Sequence, residues 1–264
     1  MKYDIKQGDC LELMKDIPDG SVDMILCDLP YGTTANNWDV IIPFEPLWEQ
    51  YKRIIKNNGV IALHASQPFT SALIMSNLKM YKHEWIWIKN RGSNFANTVR
   101  EPMKEHESII IFSNGKWTYN KQMQERTKSG LERVKYSFEN QIANSSNYRK
   151  FDKPNRNQGE FRIPSSCQKF NVEVGFHPTQ KPVALLEYLI KTYTNEDETV
   201  LDNCMGSGST GVACIHTNRN FIGMELDENY FNIAKERIES EFNNIPYVKN
   251  DIHTDIKNEK VNLF

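Results

Sequence analysis

The sequence predicts an α/β protein built on a doubly wound, mostly parallel sheet with one inserted region. Three observations predict it. Strand-like and helix-like patterns alternate at both ends of the chain, as they do when crossover helices cover both faces of a sheet. The segments "VDMILCD" (22–28) and "TVLDNC" (199–204) are dominated by apolar residues and reach an acid at or near their ends, as strands buried on both faces do. "MGSGSTG" (205–211) sets a glycine-rich turn between a strand pattern and a helix pattern, and in such sheets ligands bind beyond the carboxyl ends of the strands.

The elements follow in order. "YDIKQG" (3–8) is a short strand and "CLELMKDI" (10–17) is helical up to Pro18. After the strand at 22–28, "FEPLWEQYKRIIKNNG" (44–59) places Leu47, Trp48, Tyr51, Ile54 and Ile55 at helical spacing and closes on Asn-Gly. "VIALHA" (60–65) is a strand, and "QPFTSALIMSNLKM" (67–80) is a helix that starts at Gln67-Pro68. "HEWIWIKN" (83–90) and "HESIIIFSNG" (106–115) are strands rich in aromatic and β-branched residues. The pattern then breaks and resumes with a helix, "VALLEYLIKTYT" (183–194). The strand at 199–204, the glycine turn and the helix "VACIHTN" (212–218) come next. "NFIGMEL" (220–226) is the last strand, and "DENYFNIAKERIESEF" (227–242) is a helix capped by Asp227. Residues 1–113 and 171–252 form one domain, 114–170 an insert, and 253–264 a polar tail.

The insert differs from the rest in charge. The 264 residues carry a net charge of −2, yet 114–170 holds 12 Lys/Arg against 5 Asp/Glu, leaving 20 against 29 elsewhere. A basic segment on an acidic body suits a surface that meets phosphates, although a solvated loop has the same composition. Its aromatics, Trp117, Tyr119, Tyr136, Phe138, Tyr148, Phe151, Phe161 and Phe170, show no clean period. The five cysteines form no CxxC pair, which points to reduced thiols in a reducing compartment. The six histidines lack metal-ligand spacing, so no metal is expected. There is no apolar run of about 18 residues and no apolar signal core at the N-terminus. A cytoplasmic protein is expected.

"GSGSTG" (206–211) fits G-x-G-x-x-G between a strand and a helix, with Glu225 seventeen residues after Gly208. Glycines there let the backbone approach a nucleotide, and the acid takes ribose hydroxyls. Alone, the motif leaves NAD, FAD, S-adenosylmethionine and a ligand-free tight turn open. Its place near the end of the chain counts against a nicotinamide oxidoreductase, whose loop usually opens the nucleotide domain.

"DLPY" (28–31), "HPTQKP" (177–182) and "DNCMGSGSTG" (202–211) occur in that order. With "GDC" (8–10) and "HESIIIF" (106–112), the chain resembles the β-class DNA amino methyltransferases, which modify adenine N6 or cytosine N4. The resemblance implies a Rossmann-like methyltransferase fold in circularly permuted order, with 114–170 as target-recognition region and S-adenosylmethionine as cofactor. It also implies residue roles. Asp28 and the carbonyl of Leu29 accept hydrogen bonds from the target amine, Pro30 fixes the turn, and Tyr31 stacks on the extruded base. Glu225, with Leu226 beside it, holds the cofactor ribose, and Asp9 and Cys10 border its adenine. Asp202 and the loop of Cys204, Met205, Gly206, Ser207 and Gly208 cradle the methionine half. His177 belongs to the block covering its far side. Lys181 either pairs with the cofactor carboxylate or is a surface lysine. Trp38, in the small polar segment after Gly32, packs against base or cofactor, or anchors the segment.

The physical case runs beside the resemblance. An aromatic amine is a poor nucleophile because its lone pair feeds the ring. Two acceptors aimed at its hydrogens favour a pyramidal nitrogen and stabilise the charge that develops in attack. A base inside a duplex must be flipped out to reach them. No Pro-Cys dipeptide is present to supply a cytosine C5 nucleophile. Leu29 stands where the family has proline, but the role there belongs to a carbonyl. Asp28 favours adenine N6, since cytosine N4 enzymes of the class more often carry Ser. Double-stranded DNA is the expected partner, with a homodimer and a restriction nuclease on another chain admitted. Alternatives are methylation of cytosine N4, of RNA or of a protein amide, and a catalytically silent DNA-binding subunit.

Overall fold

The computed structural model describes residues 1–33, 39–137, 159–176 and 180–245, with backbone alone at 133–137. The first half of the chain lays down β1 (Tyr3–Gln7), α1 (Cys10–Leu13), β2 (Val22–Cys27), α2 (Phe44–Ile54) and β3 (Ile55–Ala65). It continues with α3 (Phe69–Ser76), β4 (Tyr81–Ser93) and β5 (Lys104–Phe112). Short pieces follow: β6 (Gln124–Glu125), α4 (Lys128–Ser137), β7 (Phe161–Arg162) and β8 (Cys167–Phe170). The last part is α5 (Val183–Tyr193), β9 (Thr199–Asp202), α6 (Ser209–His216), β10 (Asn220–Glu225) and α7 (Glu228–Phe242).

Eight strands form one sheet in the order β1-β10-β9-β2-β3-β5-β4-β8, while β6 and β7 pair separately. Only β5 runs against its neighbours in the large sheet. The chain steps outward from β9 to β10 on one side and from β2 to β3 on the other. The β9–β2 boundary is therefore the point where winding reverses, and the crevice for a ligand opens beyond the carboxyl ends of those two strands.

Alternating side chains separate the two cores, as the period of a strand requires. Ile25 and Cys27 of β2 pack with Leu47, Tyr51 and Ile54 of α2 and with Phe69 and Leu73 of α3. Met24 and Leu26 pack with Leu185, Leu189 and Ile190 of α5, Cys214 of α6 and Ile238 of α7. Each fully buried aliphatic side chain contributes about 1.5–3 kcal/mol. β2 is buried along its whole length, and this holds its carboxyl end rigidly at the crevice.

The structure departs from the sequence reading at two places. Asn57-Asn58-Gly59 does not close α2; β3 already begins at Ile55. Its register with β2 shifts between Val22↔Ile55 and Met24↔Val60. A Cβ on Gly59 would lie 2.9 Å from the Asp23 carbonyl oxygen, so glycine permits the close approach at this bulge. The second departure lies in 114–170. β8 extends the large sheet by pairing with β4, Trp117 packs on the second core, and Asn120 donates its backbone N–H to the Thr192 carbonyl at 2.7 Å. Both flanks of that segment thus belong to the body. Residues 138–158 and the tail at 253–264 lie outside the described residues.

Candidate active site

A cavity of about 490 Å³ opens beyond β9 and β2. Asp9, Cys10, Asp28, Leu29, Pro30 and Tyr31 line it, as do Lys181, Asp202, Cys204, Met205, Gly206, Ser207, Glu225 and Leu226. These lie up to 217 residues apart in sequence, and the sheet brings them to one rim. Gly208 is not in the lining; it is the N-cap of α6 behind it, at φ 78°. Trp38 and His177 lie outside the described residues.

The acid at the end of β2 is gripped from two sides. Tyr31 donates its hydroxyl to Asp28 Oδ1 at 2.6 Å, and the Lys181 ammonium donates to Asp28 Oδ2. Each carboxylate oxygen keeps a further lone pair for another donor. The Leu29 side chain is buried in the first core, so it anchors the turn from below. The Tyr31 ring stacks on Phe69 with centroids 5.1 Å apart. Asp39 closes the turn by accepting from the backbone N–H groups of Gly32 and Thr33, both at 2.8 Å.

Lys181 is 8% exposed, which removes the surface-lysine alternative. Its ammonium also lies 3.5 Å from Glu107 Oε2, and Lys89 donates to Glu107 Oε1. Burial pushes the Glu107 carboxyl up, but Lys181 and Lys89 outweigh it and hold it at about 2. Burial pulls the Lys181 ammonium down, and Asp28 and Glu107 outweigh that, leaving it raised. The two acids and two lysines form an alternating chain, half-buried except at the buried Lys181. Such a chain is tolerated because each charge is paired and hydrogen-bonded.

His64 lies beside this chain, lining the cavity at 1% exposure. Burial lowers its pKa to about 4, with Lys181 pushing the same way. Neither ring nitrogen has a partner among the described residues. Glu107, Lys89, Asp39 and His64 escape a reading of the sequence. Glu107 and His64 sit inside strand patterns, the acid opening an apolar run and the histidine within one, and their partners are distant in sequence.

At the other part of the cavity, Glu225 shapes the glycine loop. Its Oε2 accepts from Gly206 N–H at 2.8 Å and its Oε1 from Asp227 N–H at 2.9 Å. The Leu226 N–H also faces the carboxylate, which lines the cavity. Burial raises the Glu225 pKa against those backbone donors. Asp202 accepts from the Thr210 hydroxyl at 2.6 Å and from Cys204 N–H at 3.1 Å. Burial lifts its pKa to about 6 despite these bonds. Arg237 of α7 donates to the Ser207 carbonyl at 3.1 Å and the Ser209 hydroxyl at 3.0 Å, bracing the loop from behind. Asp9 caps α1 through Leu11 N–H at 2.8 Å and faces the cavity from there.

This fold and site define a class. The family model N6_N4_Mtase, described as DNA methylase, matches residues 22–236. The chain belongs to this family as a β-class DNA amino methyltransferase, with the acid-proline-tyrosine turn ahead of the glycine loop. It is similar to Type II methyltransferase M.HpaI of Haemophilus parainfluenzae, at 30% identity over 251 residues, covering 89% of this chain and 74% of that one. Type II methyltransferase M2.MboI of Moraxella bovis is 27% identical over 271 residues, covering 97% and 94%. The crystal structure of the M1.HpyAVI–SAM complex matches with TM-score 0.59 and 26% identity, over 89% of this chain and 98% of that one. The cytosine-N4-specific PvuII DNA methyltransferase matches with TM-score 0.62 at 14% identity, over 92% of each chain, a likeness of fold. No helix among the described residues is long and apolar enough to cross a membrane.

Proposed function

We propose that the protein is a site-specific DNA methyltransferase that moves a methyl group from S-adenosylmethionine to the N6 amine of a flipped adenine. The observation that carries this is that Asp28 and Glu225 line one cavity of about 490 Å³. That volume suits a cofactor-sized ligand with a base beside it. The Glu225 carboxylate, an acceptor lining the cavity, suits ribose hydroxyls. The Asp202 carboxylate suits the methionine ammonium, and the Gly206 turn keeps the backbone low beneath it. When bound, S-adenosylmethionine supplies an electrophilic methyl on a sulfonium.

The chain's own residues act on the amine. Asp28 and the Leu29 carbonyl accept hydrogen bonds from its N–H groups, draw the nitrogen lone pair out of conjugation, and stabilise the charge that develops on attack until the nitrogen gives up one proton to solvent. Tyr31 returns about 1–3 kcal/mol of the flipping cost by stacking. Lys181, pinning the far oxygen of Asp28, holds the carboxylate rotamer in place. The acid in place of Ser supports adenine over cytosine N4.

Labelled methyl transfer tests the reading. Wild-type protein given methyl-labelled cofactor with DNA, RNA and protein is expected to label DNA. Asp28→Ala is expected to lower that transfer at least ~10²-fold while calorimetric cofactor binding persists. Label in RNA or protein, or near wild-type turnover by the variant, would show the reading to be wrong.

A further inference from the structure

β4 and β5 leave the sheet together as a hairpin, and its tip is unlike the rest of the surface. Phe95 is 79% exposed and Val99 86%. Both lie in the tip that opens with the 3-10 turn Phe95–Asn97, and they make it an apolar knob. The knob is built rather than frayed. Asn94 enters the turn at φ 68°, its side-chain amide donates to Glu101, and Arg100 N–H donates to the Asn97 carbonyl at 2.9 Å. The base of the hairpin is tied down as well, since Asn90 Oδ1 accepts from Val172 N–H at 2.8 Å.

Its direction is set by the sheet. Lys89 and Glu107 are the last pair on the two strands that touch the active-site charges. β4 runs parallel to β3 and, through it, to β2, so it continues outward past the same rim that carries Asp28. Between Ile88↔His106 and Ser93↔Lys104 β4 advances five residues while β5 advances two, so β4 bulges here, and the turn lies beyond Ser93. Arg91, Arg100 and Lys104 flank the knob, are exposed, and make no ion pair among the described residues. An apolar tip with three exposed cations against two exposed acids, Glu101 and Glu105, on the side of the sheet that carries Asp28, has the composition of a wedge for nucleic acid. The cations meet phosphates and the apolar side chains enter the stack.

We propose that this hairpin is a second DNA-contacting element. Arg91 and Arg100 bind the backbone next to the target, and Phe95 with Val99 fills the gap left by the flipped base. The inference rests on the DNA reading above and deepens it, because it assigns base opening to residues 91–103 rather than to the basic segment.

The probe is plasmid DNA whose modified site is first mapped with wild-type protein, followed by a short duplex carrying that site. The double variant Phe95→Ala, Val99→Ala is expected to methylate the matched duplex at least tenfold more slowly. On a duplex with an abasic site opposite the target it is expected to come within about twofold of wild type, because no stacked pair then has to be opened. Arg91→Ala and Arg100→Ala are each expected to lower the slope of log affinity against log salt by about 1. All four side chains are exposed, so folding is not at issue. An unchanged matched-duplex rate, or an equal loss on both duplexes, would overturn the wedge. Unchanged salt slopes would overturn the phosphate contacts. A change in sedimentation mass, with DNA parameters unmoved, would assign the knob to self-association instead. If wild-type protein neither binds nor methylates DNA, the wider reading falls along with this one; if it does both and the variants match it, the hairpin alone falls.

Discussion

Glu225 is both a wall and a hook. Its two oxygens already hold Gly206 and Asp227, so the same carboxylate that would take ribose hydroxyls also sets the loop around them. Glu225→Ala is expected to weaken S-adenosylmethionine binding by roughly 10–10²-fold, on the scale of one or two charged hydrogen bonds, as read by calorimetry. Unchanged affinity would remove the ribose role. Asp202 carries a pH signature. Its folded pKa, near 6, lies above its unfolded value, so its stabilising effect is fully present below the unfolded pKa and is lost as pH rises through about 6. At neutral pH the buried anion is a net cost, which Asp202→Asn should relieve by on the order of 1–3 kcal/mol in the ligand-free protein. The anion is nonetheless the form that pairs with an ammonium. Cofactor affinity should therefore fall as pH drops below about 6, by up to tenfold per unit, and the Asn variant should lose that dependence. An affinity flat from pH 5 to 8 in wild-type protein would contradict this. Asp28, Asp202 and Glu225 are legible in the sequence because each is an acid closing an apolar run. Lys181 is ambiguous there because its partner Asp28 lies 153 residues away. His64 and Glu107 are hidden because a strand pattern accommodates one polar residue without comment.

The glycine loop shows how an element can be legible while its reason is not. G-x-G-x-x-G announces a strand-turn-helix. It does not reveal that Gly208 faces α7, where a Cβ would lie 3.1 Å from Ala234 Cα and Ile238 Cδ1, nor that Arg237 braces the loop. Gly208→Ala is expected to lower stability by about 2 kcal/mol, from the left-handed backbone and displacement of α7. A shift in denaturant midpoint would report it. Gly115→Ala, whose Cβ would meet nothing closer than the Asn57 carbonyl at 3.5 Å, serves as the control and should be near neutral. Equal effects of the two would refute the packing argument. The α2–β3 boundary was less legible. Asn-Gly reads locally as a helix stop, while its actual use, a bulge against Asp23, depends on the neighbouring strand.

Across the whole molecule, the alternation of strand and helix patterns points to a doubly wound sheet but not to its order, in which β5 runs antiparallel between β3 and β4. Asp28, just past β2, precedes Asp202, the last residue of β9, by 174 residues in sequence, yet β2 and β9 are hydrogen-bonded neighbours. That adjacency turns two separate motifs into one cavity. The charge asymmetry, +7 within 114–170 and −9 in the remainder, belongs to the same scale and is the distribution expected of an acidic protein that meets a polyanion through one segment. The edge strand β8 was not legible, being four residues inside a stretch without periodicity. Central to the proposed chemistry is methylation of adenine N6 in DNA at the Asp28 rim. Single-molecule sequencing of DNA from cells producing the wild-type protein, with the Asp28→Ala variant alongside, tests it most directly. The expected result is N6-methyladenine at one recurring sequence in the wild type and none in the variant. N4-methylcytosine at the recurring site, or the same adenine signal in both, would contradict it.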